Sequence, residues 1–223
     1  MQPKLKSPHG ARDARKLPVT LALAGLCVAY LAIACPATAA APAPEVAPEY
    51  KTGPASPDWL VEELQLRPGM AVADIGAGSG YLERRLAPLL PQGKIYAVDV
   101  QPEMIELLRD LARQPDTRNV VPVLGSAADV RLAAASVDLA VMVDVYHELA
   151  YPAEIIRSLL RSLRPGGRLV FVEYRAEDPA VAIKPLHKMS VAQIRREMQD
   201  FPVVWERTSE RLPVQHIVVF RKL

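Results

Sequence analysis

The sequence predicts an α/β fold: a doubly wound, mostly parallel, seven-stranded sheet that closes with a C-terminal antiparallel hairpin. Three observations predict it. Between residues 56 and 174 short apolar runs alternate with helical patterns, giving five strands separated by helices. A glycine-rich turn follows the first of those strands. After Tyr174 the alternation gives way to one helix and two strand-like runs joined through "RLP".

The elements follow in order. Ser56-Pro57-Asp58 supplies an N-cap, a proline at the first helical position and an acidic first turn, so "DWLVEELQL" starts a helix that stops at "RPGM". "MAVADI" (70–75) is a short apolar strand. "YLERRLAPLL" (81–90) has helical periodicity. "KIYAVDV" (94–100) follows the turn "PQG" as the second strand, and "PEMIELLRDLARQ" (102–114) is a helix opened by proline. "NVVPVLG" (119–125) is a third strand, and its Pro122 suits only a sheet edge. "VDLAVMVDV" (137–145) is the most apolar strand. "PAEIIRSLLRSLR" (152–164) is an amphipathic helix ended by "PGG", and "RLVFVEY" (168–174) is a buried strand. "SVAQIRREMQ" (190–199) is the last helix; "VVWERTSE" and "VQHIVVFRKL" form the hairpin.

The N-terminal part has another character. Residues 1–16 carry Lys4, Lys6, Arg12, Arg15 and Lys16 against Asp13, and the apolar run Leu17–Cys35 follows. With small residues at Ala37-Thr38-Ala39 or Ala39-Ala40-Ala41, this is the pattern of a secretory signal peptide over residues 1–40. An uncleaved anchor, or a lipid-modified Cys35, fits the same residues. Residues 41–55 are an Ala/Pro-rich linker. The expected location is therefore exported and periplasmic, with the membrane engaged only through the leader. The chain is formally +2, but from residue 41 onward 22 basic side chains face 24 acidic ones. The folded part lacks the positive excess that phosphate-backbone binding needs, which argues against a nucleic-acid partner. Both cysteines, Cys27 and Cys35, lie in the leader, so the folded part has no disulfide, thiol nucleophile or thiolate metal site.

The turn after the first strand narrows the ligand. "VADIGAGSGYL" places Gly76, Gly78 and Gly80 on alternate positions after Asp74. A dinucleotide fold wants its third glycine three residues after the second, and an acidic residue here would face a pyrophosphate. A P-loop ends in Gly-Lys-Ser/Thr, which is absent. A ligand bearing an amine beside a carboxylate fits better: Asp74 meets the amine, and free backbone N–H groups at the helix start meet the carboxylate.

At these residues the sequence resembles the class I S-adenosylmethionine-dependent methyltransferases, over roughly residues 56–223. "ADIGAGSGYL" is similar to the family's first motif, with Asp74, Gly76, Ala77, Gly78 and Gly80. "YAVDV" ends in Asp99 and Val100, and the resemblance gives Asp99 the two ribose hydroxyls. "VLGSAADV" sits where the family cradles adenine, with Ser126 and Ala127 at the turn. Ser126 stands where the family often has aspartate, and Asp129 comes three residues later. "VDLAVMVDVYHEL" resembles the fourth motif and brings Asp144 toward the methionine amine. The resemblance thus implies a Rossmann-like fold, S-adenosyl-L-methionine as cofactor and methyl transfer to a small-molecule acceptor. "VEYRAEDP…IKPLHKM" is also similar to a group of exported bacterial methyltransferase-like proteins.

In open α/β sheets the site lies beyond the carboxyl ends of the strands, where three polar stretches gather. "DVYHEL" offers His147 as a base whose ordinary pKa lies near neutrality, with Tyr146 and Glu148 beside it. "EYRAED" and "IKPLHKM" offer Arg175, Lys184, His187 and Lys188 as a locally cationic rim for an acidic or phenolic acceptor, with Glu173 as a further substrate-binding candidate. A metal is not expected: His147, Glu148, Glu173 and His187 could converge on an ion, but no H-x-x-x-H or comparable spacing supports it. A second reading keeps the fold as an exported ligand-binding protein without catalysis, and a third is a nicotinamide-dependent oxidoreductase, disfavoured by the glycine spacing.

Overall fold

A computed structural model of the protein describes residues 57–223, so the leader and linker expectations lie outside the described residues. The chain runs α1 (Pro57–Glu63), β1 (Ala71–Ile75), α2 (Glu83–Leu86), β2 (Lys94–Asp99), α3 (Pro102–Ala112), β3 (Val120–Leu124), β4 (Val137–Val143), α4 (Pro152–Ser162) and β5 (Leu163–Arg175). Then come β6 (Lys188–Met189), α5 (Val191–Glu197), β7 (Val203–Ser209) and β8 (Gln215–Lys222).

The strands form one sheet in the order β3-β2-β1-β4-β5-β8-β7, with the two-residue β6 beside β5. β1 to β5 are parallel, whereas β8 is antiparallel to both β5 and β7. This is the expected Rossmann-like architecture with one short strand added. Pro122 sits on β3, at the sheet edge, where its missing N–H breaks no ladder bond to a further strand.

Both faces of the sheet are covered, because strand side chains alternate. Val72, Leu139, Val141, Val170 and Val172 pack with α1, α2 and α3 through Leu60, Leu64, Leu86, Ile105 and Leu108. Ala140, Met142, Leu169 and Phe171 pack with α4 and α5 through Ile155, Ile156, Leu159 and Ile194. Phe171 meets the rings of Tyr146 and Phe220 edge-on, at centroid distances of 4.9 and 5.8 Å.

Two expected elements are redrawn. The helix expected over 81–90 is one four-residue turn, α2, followed by a 3-10 turn at Ala87–Leu89. The glycine turn takes up residues before Glu83, and Pro88 has no N–H to continue the α-helical ladder. The fifth strand begins at Leu163, not Arg168: Leu163 pairs with Val137, then the register jumps so that Leu139 meets Arg168. The "PGG" turn is an irregularity within that pairing. Arg168 is buried, and its guanidinium donates to the carbonyl of Leu64, at 2.7 Å, tying the end of α1 to the sheet.

Candidate functional site

Strand order reverses between β1 and β4, and a crevice opens beyond their carboxyl ends. It is a cavity of about 430 Å³, lined among others by Gly76, Gly78, Asp99, Val100, Ser126, Ala127 and Glu148. That volume lies in the range of small-molecule and cofactor sites. Apolar groups from Val98, Val130, Val145, Leu149 and Ile155 make up much of the wall.

The glycine turn is held from behind and open in front. The N–H groups of Gly76 and Ala77 both donate to the Val98 carbonyl, at 2.8 and 3.1 Å, which pins the turn to β2. Gly80 has φ +84°, and a Cβ there would stand 2.4 Å from Leu111 Cδ2, so this glycine serves the packing of α3. Gly78 has φ +55° and open space where its Cβ would be. Of the three glycines, Gly76 and Gly78 line the cavity; Ala77 is buried behind it.

Asp99 closes the turn from β2. One of its carboxylate oxygens accepts the Gly78 N–H and the other the Gln101 N–H, both at 2.9 Å. A carboxylate has about four lone-pair positions, so each oxygen retains capacity for a ligand hydroxyl. Ser126 lines the cavity, yet its N–H and hydroxyl are occupied by the carbonyl of Asp129, at 2.8 and 3.3 Å. Asp129 is occupied too: its carboxylate accepts from the Arg131 N–H and the Ser158 hydroxyl, at 2.8 and 2.7 Å, which holds its pKa low.

Asp74 stands elsewhere than expected. It is buried behind the glycine turn, outside the cavity lining, beside the fully buried Glu83. Burial first, then the charge of Glu83, raises the Asp74 pKa well above the usual range; burial also pushes Glu83 up to about 7. Neither Glu83 oxygen has a hydrogen-bond donor, and two buried carboxyls side by side favour the protonated form. Asp144 has φ +53° and accepts from Gln215 Nε2 at 2.7 Å, again outside the cavity lining. The expected helix N-terminus for a ligand carboxylate is also missing, because α2 begins only at Glu83.

A polar wall continues from Glu148. His147 and Glu148 lie on a 3-10 turn after β4 (Tyr146–Glu148), and Glu173 lies near the end of β5. His147 Nδ1 donates to Glu173 Oε2 at 2.6 Å, and the other Glu173 oxygen accepts the Tyr146 N–H at 3.0 Å. His147 Nε2 faces His187 Nδ1 at 3.1 Å. Burial lowers the His147 pKa, but the hydrogen bond to Glu173 and the charges of Glu173, Glu148 and Asp144 outweigh it and raise the pKa above its ordinary value.

Other expected site residues serve the fold. Tyr146 is buried against Phe171 on the core side, with its hydroxyl pKa raised by burial and the neighbouring Glu197. Arg175 does not join a rim: it pairs with Glu210 and donates to the carbonyls of Glu210, Leu212 and Pro213, fastening the turn before β8. Lys188 Nζ donates to the Asp178 carbonyl, at 3.1 Å, and Lys184 is exposed. Glu173 is fully buried and acts by holding His147, not by touching an acceptor. Of the cationic rim residues, only His187 meets the polar wall. Sequence reasoning missed Glu83, whose place in "YLERRL" looks like an ordinary charged helix face, and Gln215, whose partner Asp144 is 71 residues away.

Comparison with known proteins bears on the fold and the domain. Residues 73–171 match the family profile described as a methyltransferase domain. An uncharacterized methyltransferase-like protein of Schizosaccharomyces pombe is 31% identical over 159 residues, 71% of this chain and 58% of that protein. A ubiquinone/menaquinone biosynthesis C-methyltransferase of Ectopseudomonas mendocina is 30% identical over 118 residues, 52% of this chain and 46% of that protein. The chain thus spans about half the length of the curated relatives it matches. The crystal structure of a SAM-dependent methyltransferase from Aquifex aeolicus superposes with a TM-score of 0.70 at 24% identity, covering 75% of this chain and 90% of that one.

Proposed function

Starting from a class I methyltransferase fold whose residues 73–171 match the methyltransferase domain, we propose that the protein transfers a methyl group from S-adenosylmethionine to a small-molecule acceptor. In this reading S-adenosylmethionine is its cofactor. The observation that carries the reading is the cavity at the strand reversal, with an open Gly78, an Asp99 carboxylate of spare accepting capacity and an apolar wall. Those features suit a ribose diol, an adenine ring and a backbone-sized approach to the methionine portion.

When bound, the cofactor supplies a methyl group already activated on a sulfonium. The protein's part is then mostly alignment. Asp99 fixes the turn through Gly78 and offers its remaining lone pairs to the ligand's hydroxyls. Glu148 lies both on the cavity wall and beside His147. His147, oriented by Glu173, takes the proton of an acceptor that carries one, at Nε2. His187 and Glu148 shape the polar side of the acceptor's position.

The basic-then-apolar leader supports export to the periplasm, where the acceptor would be met. No observation favours a ligand-binding protein without catalysis. The test is release of S-adenosylhomocysteine when the purified protein is mixed with S-adenosylmethionine and a panel of phenol, carboxylate, amine and thiol acceptors. Acceptor-dependent release that His147→Ala abolishes supports the proposal; no release with any class counts against it.

A further inference from the structure

We propose that His147, Glu148 and His187 form a binding site for a divalent first-row transition-metal ion at the edge of the cavity, with Glu173 orienting His147 behind it. The two histidines are 40 residues apart in the chain and come together only in the fold. His147 is placed by the turn after β4. His187 ends the 3-10 turn Pro185–His187, whose continuation β6 is paired to the end of β5.

The geometry is that of a three-ligand set. His147 Nε2 and His187 Nδ1 are 3.1 Å apart, and Glu148 Oε1 lies 3.8 Å from the first and 3.6 Å from the second. A triangle with those sides has its centre about 2.0 Å from all three atoms, the ordinary metal–nitrogen and metal–oxygen distance. An ion needs only to settle near that point. Two imidazoles and one carboxylate are a donor set that zinc and ferrous iron take.

The surroundings favour a cation and prepare the ligand. Glu173, fully buried, accepts the Nδ1 hydrogen of His147 at 2.6 Å and so leaves Nε2 with its lone pair toward His187. Carboxylate–histidine pairs of this kind fix the tautomer and raise ligand basicity in metal sites. The His147 side chain is 5% exposed and held in place, whereas His187 is 38% and Glu148 61% exposed, which gives an ion a way in. Lys188, next to His187, has its ammonium on the Asp178 carbonyl instead. The ion would take the Nε2 lone pair of His147, the atom assigned above as base, and the Nδ1 lone pair of His187 once that ring carries its hydrogen on Nε2, so the ion-bound and base-competent forms are alternatives; the proposal rests on these coordinates and on no step of methyl transfer.

The test is a titration of Co2+ into the untagged, chelator-treated full chain, followed by visible d–d absorption and by calorimetry. The expected result is one saturable equivalent with nitrogen/oxygen-type bands. His187→Ala and Glu148→Ala, both at exposed positions that leave the core intact, should each weaken it at least tenfold, and Glu173→Gln should weaken it ten- to a hundredfold by releasing the His147 ring. No saturable binding to the folded chain, or binding that His187→Ala leaves unchanged, would overturn the site.

Discussion

Replacing Glu83 with glutamine should make the protein more stable above neutral pH. Glu83 is fully buried behind the glycine turn, and its oxygens lack a donor when ionised. Burial raises its pKa from 4.5 to about 7. At about 1.4 kcal/mol per unit, ionising it in the folded state costs on the order of 3 kcal/mol, an upper figure because the neighbouring Asp74 carboxyl titrates with it. The folded protein binds this proton more tightly than the unfolded chain. Stability must therefore fall as pH rises from about 4.5 through 7, then level off. Glutamine has no such slope, and its amide N–H can donate to Asp74. Urea unfolding of both proteins at pH 5, 6, 7 and 8 measures the difference. Near equality at pH 5, with the variant ahead by up to ~3 kcal/mol at pH 8, is the expected result. A variant less stable than the parent at pH 8, or a difference independent of pH, would refute the reasoning.

Three further substitutions separate packing from binding. Gly80→Ala forces a Cβ to within 2.4 Å of Leu111 at φ +84°, and should cost about 1–3 kcal/mol in chemical denaturation. Gly78→Ala meets nothing within 4 Å, so it should lose only about 1 kcal/mol of stability while weakening S-adenosylmethionine binding more than the Gly80 variant does. Phe171→Ala removes a fully buried ring held edge-on by Tyr146 and Phe220, and should lower the unfolding free energy by about 3–5 kcal/mol without moving the cavity residues.

Much of the fold was legible because it rests on local pattern. Apolar runs of strand length, prolines at the starts of α1, α3 and α4, and the placement of Pro122 at an edge all carry their reason within a few residues. The errors came where a neighbour decides. Pro88 cuts α2 short, and the pairing of Leu163 with Val137 extends β5 across a turn that reads as a break. The candidate site divided the same way. Gly78, Asp99 and Ser126 reach the cavity because their strand ends do. Side-chain direction is not written in the chain: Tyr146 adjoins His147 but enters the core, and Arg175 turns back on the loop before β8. Asp74 ends the right strand, yet faces Glu83, whose burial no local pattern announces.

The central claim is that this cavity holds S-adenosylmethionine. Calorimetric titration of S-adenosylmethionine into the purified protein, beside the Asp99→Ala variant, tests it most directly. Micromolar binding that the substitution weakens at least tenfold, about 1.4 kcal/mol, is the predicted result. No binding to protein with an intact folded signature, or equal binding by the variant, would contradict it.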